Sequence, residues 1–251
     1  MGENAGLIAG LHAVRTALGH GEGQVYELWY DLRRQDRRLK EVLALAGRFG
    51  APVRGVERAE LDRLTQGANH QGVAARVAIP AALDEVALEA LLDRISEPPF
   101  LLVLDGVQDP HNLGACLRTA EAAGVQAVVA PRDHSVGLTP SVCKVASGAA
   151  GRVPYVQVTN LARTLKTLQG RGLWLVGAAG EAPGSLYQAD LRGPLALLLG
   201  GEGKGLRRLT REHCDLLVSL PMRGVVESLN VSVAAGILLY EALRQRQGTD
   251  I

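Results

Sequence analysis

The sequence has few of the features that mark secreted, membrane-spanning or metal-binding proteins. Its three cysteines (Cys116, Cys143 and Cys214) are odd in number and include no Cys-x-x-Cys pair, which argues against a disulfide framework and a structural zinc site. No apolar run approaches the roughly 18 residues that a membrane-spanning helix needs. The N-terminal stretch also lacks the basic start and long apolar core of a signal peptide. We therefore expect a cytoplasmic protein that holds no metal and contacts no membrane.

An excess of charge is also missing, because 27 Lys and Arg residues against 26 Asp and Glu residues leave a net charge of +1. A dedicated nucleic-acid binder is usually far more basic. The distribution is uneven, however. Residues 81–97 are acidic, and the stretch LRRQDRRLK (32–40) holds a basic cluster: Arg33, Arg34, Arg37, Arg38 and Lys40. This cluster suits RNA phosphate contacts. The alternative is an ordinary ion-paired helix surface with Asp31, Asp36 and Glu41 as local partners, and on charge alone that interpretation is preferred.

The patterns of apolar residues predict two α/β parts. Residues 1–79 alternate short strands (25–30, 52–56 and 73–79) with helices near 8–18, 36–48 and 58–66. Residues 80–98, acidic and bracketed by prolines, are typical of a linker with a short helix. Residues 99–251 contain apolar strands at 100–104, 125–130, 153–158, 173–179, 195–200 and 215–220. Helices are predicted between most of them, at 112–123, 139–149, 160–170 and 205–212, and a long one at 228–247. Such strands predict a parallel sheet covered on both faces.

Three polar, glycine-containing loops follow buried strands of this second part: DGVQDPHN (105–112), GGEGKG (200–205) and PMRGVVESLN (221–230). Ligands of parallel α/β sheets bind at the ends of the strands, in such loops. GGEGKG fits neither a phosphate-binding P-loop nor a dinucleotide fingerprint, since Leu198, Gly205 and Leu206 stand where those motifs need other residues. It still allows close approach of a ligand to the backbone beside Glu202 and Lys204. On this loop alone, a plain tight turn is the preferred interpretation.

The other two loops each lead into a predicted helix. Asn112 is expected to cap the first helix, whose apolar face excludes Arg118. Arg118 either pairs with Glu121 at the surface or presents its guanidinium to a phosphate. Ser228 is expected to cap the last helix, with Asn230 in its first turn. Its predicted buried stripe consists of Leu229, Val233, Ile237 and Tyr240.

The stretches DPHNLGACLRTAEAAGV, LLLGGEGKGL and PMRGVVESLNVSVAAGILLYEALRQR resemble, in order and spacing, the three motifs of the SpoU/TrmH (SPOUT) family of RNA ribose 2′-O-methyltransferases. GLHAV (10–14) and ANHQGVAARV (68–77) are similar to the substrate-binding domain of the bacterial member that methylates a guanosine of 23S ribosomal RNA. The resemblance extends over essentially the whole chain and is least distinctive in the acidic segment. It implies an α/β trefoil-knot catalytic domain preceded by a small L30e-like α/β domain that binds RNA.

The resemblance also implies a methyl donor, a substrate and a homodimer with active sites at the subunit interface. The donor is S-adenosylmethionine, without a metal, and the substrate is a guanosine in the peptidyl-transferase P-loop region of 23S ribosomal RNA or of a large-subunit assembly intermediate. The implied catalytic residues are Asn112, Arg118, Glu202, Ser228 and Asn230. The implied donor contacts are Gly180, Gly200, Leu220, Met222 and Leu229. The candidate RNA contacts are the basic cluster together with His70 and Gln71, and further Arg54, Arg63 and Asn69.

The chemistry of these residue types suggests that Arg118 grips the phosphate next to the target ribose. A guanidinium is effectively never deprotonated in proteins. The base is therefore that phosphate, or an Arg whose proton the phosphate helps to hold. Two other functions stay open at this point: a methyltransferase for transfer RNA, and a non-catalytic RNA-binding or ribosome-assembly protein.

Overall fold

A computed structural model describes residues 5–19 and 25–248, and the chain divides into two compact units. Unit 1 comprises Met1–Ala81 and Leu138–Gly151, and unit 2 comprises Ala82–Gly137 and Arg152–Ile251. Residues 1–4, 20–24 and 249–251 of the predicted domains lie outside the described residues. None of the helices within 5–19 and 25–248 is long and apolar enough to cross a membrane.

The helices and strands follow one another along the chain as follows. The first eight are β1 (Ala5–Ala9), α1 (Leu11–Leu18), β2 (Val25–Asp31), α2 (Arg37–Arg48), β3 (Val53–Val56), α3 (Arg58–Leu64), β4 (Val73–Ala78) and α4 (Glu85–Leu92). The next six are β5 (Phe100–Asp105), α5 (Pro110–Ala122), β6 (Ala127–Pro131), α6 (Pro140–Ala146), β7 (Tyr155–Val158) and α7 (Leu161–Gly170). The last six are β8 (Trp174–Ala178), β9 (Gly184–Ser185), β10 (Leu195–Gly200), α8 (Arg208–Glu212), β11 (Leu216–Ser219) and α9 (Val231–Arg246).

Unit 1 is built on a four-stranded sheet in the order β1-β4-β2-β3. Strand β4 is antiparallel to β1 and β2, and β2 is parallel to β3. The strand β1 was not predicted, because residues 8–10 were assigned to the first helix. That helix starts only at Leu11, after Gly10, whose φ of 102° is a conformation that other residues rarely adopt. The core beneath the sheet includes Val14, Leu28 and Leu39.

Unit 2 contains, in its described residues, a seven-stranded sheet in the order β7-β6-β5-β10-β8-β11-β9. All its strand pairs are parallel, so the prediction of a parallel sheet is confirmed. Helix α4 of the acidic segment belongs to this unit, where Leu88 and Leu92 are buried in one core cluster with residues of β5, β10 and α7. Helix α9 packs against α5 and β10. The trefoil knot stays a prediction.

The starts of α5 and α9 correct two expectations. Helix α5 begins at Pro110 with Asp109 as its cap, because the Asp109 carboxylate accepts hydrogen bonds from the backbone N–H groups of His111 (3.3 Å) and Asn112 (3.2 Å). Pro110 suits the first helical position, because an N–H there would have no partner within the helix. Asn112 is the third residue of the helix and therefore lies inside its first turn. At α9 the cap is Asn230, whose Oδ1 accepts from the Ser232 N–H at 2.9 Å. Ser228 lies before the helix.

The predicted buried face of α9 was also wrong. Of the predicted stripe, Leu229, Val233 and Tyr240 are 39%, 51% and 52% exposed, and Ile237 is partly buried. The buried residues of the helix are instead Val231, Ala235, Leu238, Leu239 and Ala242. Apolar residues occur on nearly every side of this helix, so more than one stripe satisfies helical spacing. Which stripe is buried was decided by the packing against α5 and β10.

Candidate active site

The loops that follow β5, β10 and β11 meet at the carboxyl edge of the unit 2 sheet, as the sequence predicted. Their contact is a group of three hydrogen-bonded side chains. Asn112 Nδ2 donates to Glu202 Oε1 at 2.5 Å, and Asn230 Nδ2 donates to Asn112 Oδ1 at 3.0 Å and to Glu202 Oε1 at 3.4 Å. Asn112 is 6% exposed, whereas Glu202 and Asn230 are exposed. One buried amide therefore joins two residues that face solvent.

Glu202 owes its position to the glycines around it. The loop GGEGKG (200–205), called the glycine loop below, closes on itself, since the Gly205 N–H donates to the Gly201 carbonyl oxygen at 3.1 Å. A Cβ on Gly200 would lie 1.8 Å from the carbonyl carbon of Gly205, and one on Gly201 would lie 2.2 Å from the Gly106 carbonyl oxygen. No side chain fits at either place, so these glycines are required by close backbone approach.

A cleft of about 690 Å³ opens beside this group of side chains. All five residues expected to contact the methyl donor line it: Gly180, Gly200, Leu220, Met222 and Leu229. Glu202, Ser228 and Asn230 also line it, together with the rest of the glycine loop. Its volume lies within the range of about 300–1,000 Å³ that is usual for small-molecule sites. The cleft combines exposed glycine backbone with apolar side chains.

Arg118 and Ser228 stand apart from the hydrogen-bonded group. Both are exposed, and Arg118 is not among the residues that line the cleft. Within residues 5–19 and 25–248, no carboxylate forms an ion pair with Arg118. Glu121, its expected surface partner, instead lies 3.6 Å from Arg152. The surface ion pair is therefore not formed, and the guanidinium of Arg118 is open to a ligand.

Two ion pairs that the sequence did not single out also shape the site. Asp105, the last residue of β5, is 1% exposed, and its carboxylate is hydrogen-bonded to Arg207, just beyond the glycine loop. The available signal was an acidic residue at the end of the apolar run FLLVL. Glu181 and Arg211 form an ion pair on the wall of the cleft. Their pairing was not visible in the sequence, because the two residues lie on different elements.

The cysteine of the site helix has no place in its chemistry. Cys116 lies on α5 between Asn112 and Arg118, and its side chain is fully buried. Burial raises the pKa of this thiol to about 12, so it stays protonated and unreactive near neutral pH. In the part of the chain that the structure describes, no group of three or more His, Cys, Asp or Glu side chains could hold a metal ion.

The candidate RNA contacts of unit 1 divide into open and engaged side chains. Arg33, Arg38 and Lys40 are exposed, and none of them forms an ion pair with any residue that the structure describes. Arg37 pairs with Glu41 at 3.0 Å, and Arg34 pairs with Asp36 and also donates to the Gln71 carbonyl oxygen. The cluster is thus partly the ion-paired surface considered above. The side chains of Arg54, Asn69 and Gln71 are exposed, and Arg63 pairs with Glu60.

His70 does not fit the expected surface contact. Its residue is 3% exposed, its Nε2 lies 3.0 Å from Asp62 Oδ1, and its Nδ1 accepts from the Gly72 N–H at 3.0 Å. Both ring nitrogens are therefore occupied inside the fold. We correct its role to one that holds the turn before β4 in place.

The matches to known families cover most of both units. Residues 99–240 match the SpoU rRNA Methylase family, and residues 7–82 match the domain described as RNA 2′-O ribose methyltransferase substrate binding. This chain belongs to the SpoU rRNA Methylase family. The family match includes the three loops that form the hydrogen-bonded group, and it begins one residue before β5.

Individual members of this family are similar over nearly the full length. A relative from Pseudomonas putida, named 23S rRNA (guanosine-2′-O-)-methyltransferase RlmB, is 58% identical over 96% of this chain and 96% of its own. A solved RNA 2′-O ribose methyltransferase superposes with a TM-score of 0.81 at 31% identity, over 98% of this chain and 90% of that one. The SpoU methyltransferase AviRb from Streptomyces viridochromogenes, solved in complex with AdoMet, superposes with a TM-score of 0.77 at 26% identity over 96% and 90%.

Proposed function

We propose that this chain transfers a methyl group from S-adenosylmethionine to the ribose 2′-hydroxyl of a guanosine in 23S ribosomal RNA. The observation that carries the proposal is the group formed by Asn112, Glu202 and Asn230 at the edge of the glycine-lined cleft. The near-full-length similarity to a 23S rRNA (guanosine-2′-O-)-methyltransferase supports the same substrate. The similarity to these relatives does not favour a transfer-RNA substrate. Transfer RNA is one of the RNAs compared in the experiment described below.

The cleft suits the methyl donor in size and in lining. Bound S-adenosylmethionine supplies a methyl group on a sulfonium centre, which is highly reactive toward an oxygen nucleophile. Gly180, Gly200 and the apolar side chains of Leu220, Met222 and Leu229 would hold it. A glycine exposes its backbone N–H and C=O to a ligand without a side chain in the way, so the backbone can recognise the polar parts of the donor.

The three hydrogen-bonded residues divide the work of positioning. Both polar atoms of the buried Asn112 amide bond within the group, so Asn112 orients its neighbours. Glu202 accepts both bonds on Oε1, and no described residue donates to its Oε2. That oxygen and the exposed hydroxyl of Ser228 would orient the ribose hydroxyl. Holding the reacting atoms in line supplies much of the rate.

Arg118 acts on the RNA backbone. A ribose hydroxyl must lose its proton as it attacks, and the guanidinium remains protonated. We assign Arg118 to a two-pronged grip on the phosphate next to the target ribose. The phosphate then takes the proton.

Unit 1 supplies RNA affinity through its exposed cations. Arg33, Arg38 and Lys40 offer their charges to phosphates without first breaking an ion pair within the described part of the chain. Each phosphate contact releases counterions and strengthens binding at low salt. Arg37 can join after exchange of its exposed pair with Glu41, since surface pairs are worth little.

We also propose a homodimer and a cytoplasmic site of action. The outward face of α9 carries Val233 and Tyr240, both about half exposed. Contiguous exposed apolar surface marks protein–protein interaction sites, and a second copy of this chain would bury this face. Large-subunit particles that are still being assembled would also be found in the cytoplasm. We include them as a second form of the RNA substrate.

The test incubates the purified chain with radiolabelled S-adenosylmethionine and, separately, 23S fragments, large-subunit particles or bulk transfer RNA. We expect label in the 23S samples, in a dinucleotide that resists alkaline hydrolysis because its 2′-oxygen is blocked. Label only in transfer RNA would overturn the substrate. Donor binding by calorimetry without any transfer would favour a non-catalytic RNA-binding protein instead.

A further inference from the structure

Asp105 carries a buried carboxylate that the mechanism above does not use. It is the last residue of β5, and its side chain is fully buried. An unpaired charge in such a place is strongly destabilising. Here both oxygens are engaged by one residue: Oδ1 accepts from Arg207 Nε at 2.6 Å, and Oδ2 accepts from the Arg207 backbone N–H at 3.0 Å.

The same aspartate also holds the other end of the glycine loop. Its backbone carbonyl oxygen accepts from the Gly201 N–H at 2.9 Å. Residues 201 and 207 therefore both attach to Asp105, and the intervening segment is closed by the bond between Gly205 and Gly201. Glu202 lies in this segment. Asn112, to which Glu202 is bonded, lies on the helix that follows Asp105 in the chain.

We propose that the Asp105–Arg207 pair is a positioning device for the proposed methyl transfer. Asp105 holds Gly201 near the start of the glycine loop and Arg207 just after its end. The segment that leads to α5 begins at the same residue. Glu202 is thereby set at hydrogen-bond distance from Asn112 and Asn230, and the loop backbone is set as one wall of the cleft. Asp105 and Arg207 act through Glu202 and the loop and do not touch the reacting atoms. The inference rests on the proposed function.

The sharpest variant is Asp105→Asn, which keeps the shape of the side chain. It removes the charge and turns an NH₂ group toward one of the two Arg207 donors. We expect kcat on a 23S fragment to fall by about 10- to 100-fold, the loss typical of reacting groups displaced by roughly 1 Å. Arg207→Lys should cause a similar loss, because it keeps the charge but places a methylene group where Arg207 Nε donates to Asp105. Arg208→Lys is the matched control: Arg208 is the next residue, and its pair with Glu212 at 2.6 Å is on the surface.

A purely structural role is separated from positioning by a double-mutant cycle with Glu202→Gln. If Asp105 works through the loop that presents Glu202, Asp105→Asn should lower kcat less than about twofold once Glu202 is already changed. The shifts in melting temperature should still add. Full multiplication of the two losses in kcat, or a wild-type kcat for Asp105→Asn, would overturn the inference.

Donor binding keeps this result separate from the fate of the proposed function. The loop also lines the cleft, so Asp105→Asn should weaken S-adenosylmethionine binding by about tenfold in calorimetry, without RNA present. A wild-type chain that binds the donor but labels no RNA would overturn the RNA activity. The positioning role would then be judged by whether Asp105→Asn weakens donor binding. A wild-type chain that neither binds nor transfers would overturn both.

Discussion

Among single residues, Arg118 differs from Asn112, Glu202 and Asn230 because it forms no side-chain hydrogen bond or ion pair with any residue that the structure describes. Asn112, Glu202 and Asn230 bond to one another, whereas the guanidinium of Arg118 is exposed on α5. A cation kept free of local carboxylates retains its capacity for a phosphate. Its function is therefore expressed only when RNA is bound, and its substitution should change RNA turnover without changing the fold.

We expect Arg118→Lys to lower kcat/KM for a 23S fragment by about 10- to 100-fold. The reason is the loss of a charge-assisted, two-pronged contact, worth about 1.5–3 kcal/mol. Single-turnover methylation measures the rate, and calorimetry should give an unchanged affinity for S-adenosylmethionine. Arg152→Lys, at an exposed Arg paired with Glu121, is the control and should behave as wild type. Near-normal turnover by Arg118→Lys would refute the two-pronged contact between the Arg118 guanidinium and the phosphate.

At the scale of elements, the glycine loop and the start of α4 are each held by a few short contacts. In the loop, the contact is backbone against backbone, which leaves no room for adjustment. At α4 it is a carboxylate beside a hydroxyl and an N–H of the segment before α7. The first should respond to added volume and the second to pH.

We expect Gly201→Ala to weaken S-adenosylmethionine binding by at least about tenfold. A methyl group there would lie 2.2 Å from the Gly106 carbonyl oxygen, so the loop must move and the cleft wall moves with it. Calorimetry measures the affinity. Gly170→Ala is the control, since nothing lies within 4 Å of its added Cβ. Equal affinity for both variants would show that the close approach is dispensable.

Glu85 should make a pH-dependent contribution to stability. Hydrogen bonds from the Thr159 hydroxyl and N–H, at 2.6 and 2.5 Å, lower the pKa of its carboxyl to about 2. A depressed pKa means that the contribution is present above the ordinary value of about 4.5 and is lost as the pH falls toward 2.

The variant Glu85→Gln tests this linkage. It should be less stable than wild type at pH 7 by about 1 kcal/mol or less, because the group is solvent-accessible. Urea unfolding measures the difference, which should shrink between pH 4.5 and pH 2. Glu89→Gln, on the same helix, serves as the control. A difference that stays constant down to pH 2 would contradict the assigned cause.

At the scale of the whole molecule, the exposed apolar face of α9 bears on the oligomeric state. We expect the wild type to sediment as a dimer at micromolar concentration and Val233→Glu to sediment as a monomer, because a buried unpaired carboxylate opposes association. Analytical ultracentrifugation measures both. Val86→Glu is the control, at a 75% exposed apolar residue of α4. A monomeric wild type would rule out the proposed interface.

Much of the architecture was readable from local sequence patterns. The apolar strands predicted the parallel sheet, and the polar loops after FLLVL, LALLL and DLLVSL predicted the edge where Asn112, Glu202 and Asn230 meet. These inferences succeeded because a buried parallel strand needs a continuous apolar run, and because such strands end at a common edge. The motif resemblance then named the chemistry that this edge supports.

The sequence alone determined the parallel sheet of unit 2, the loops that carry the site and the family to which the chain belongs. The tertiary structure decided what depends on distant partners. Asp109 and Asn230 became the helix caps, and His70 turned inward. The 231/235/238 stripe of α9 was buried in place of the predicted 229/233/237/240 stripe, of which Ile237 alone is partly buried. Asp105 and Arg207 are 102 residues apart. No local pattern reports that pairing, because its energy arises only when the fold brings a buried carboxylate to the end of the glycine loop.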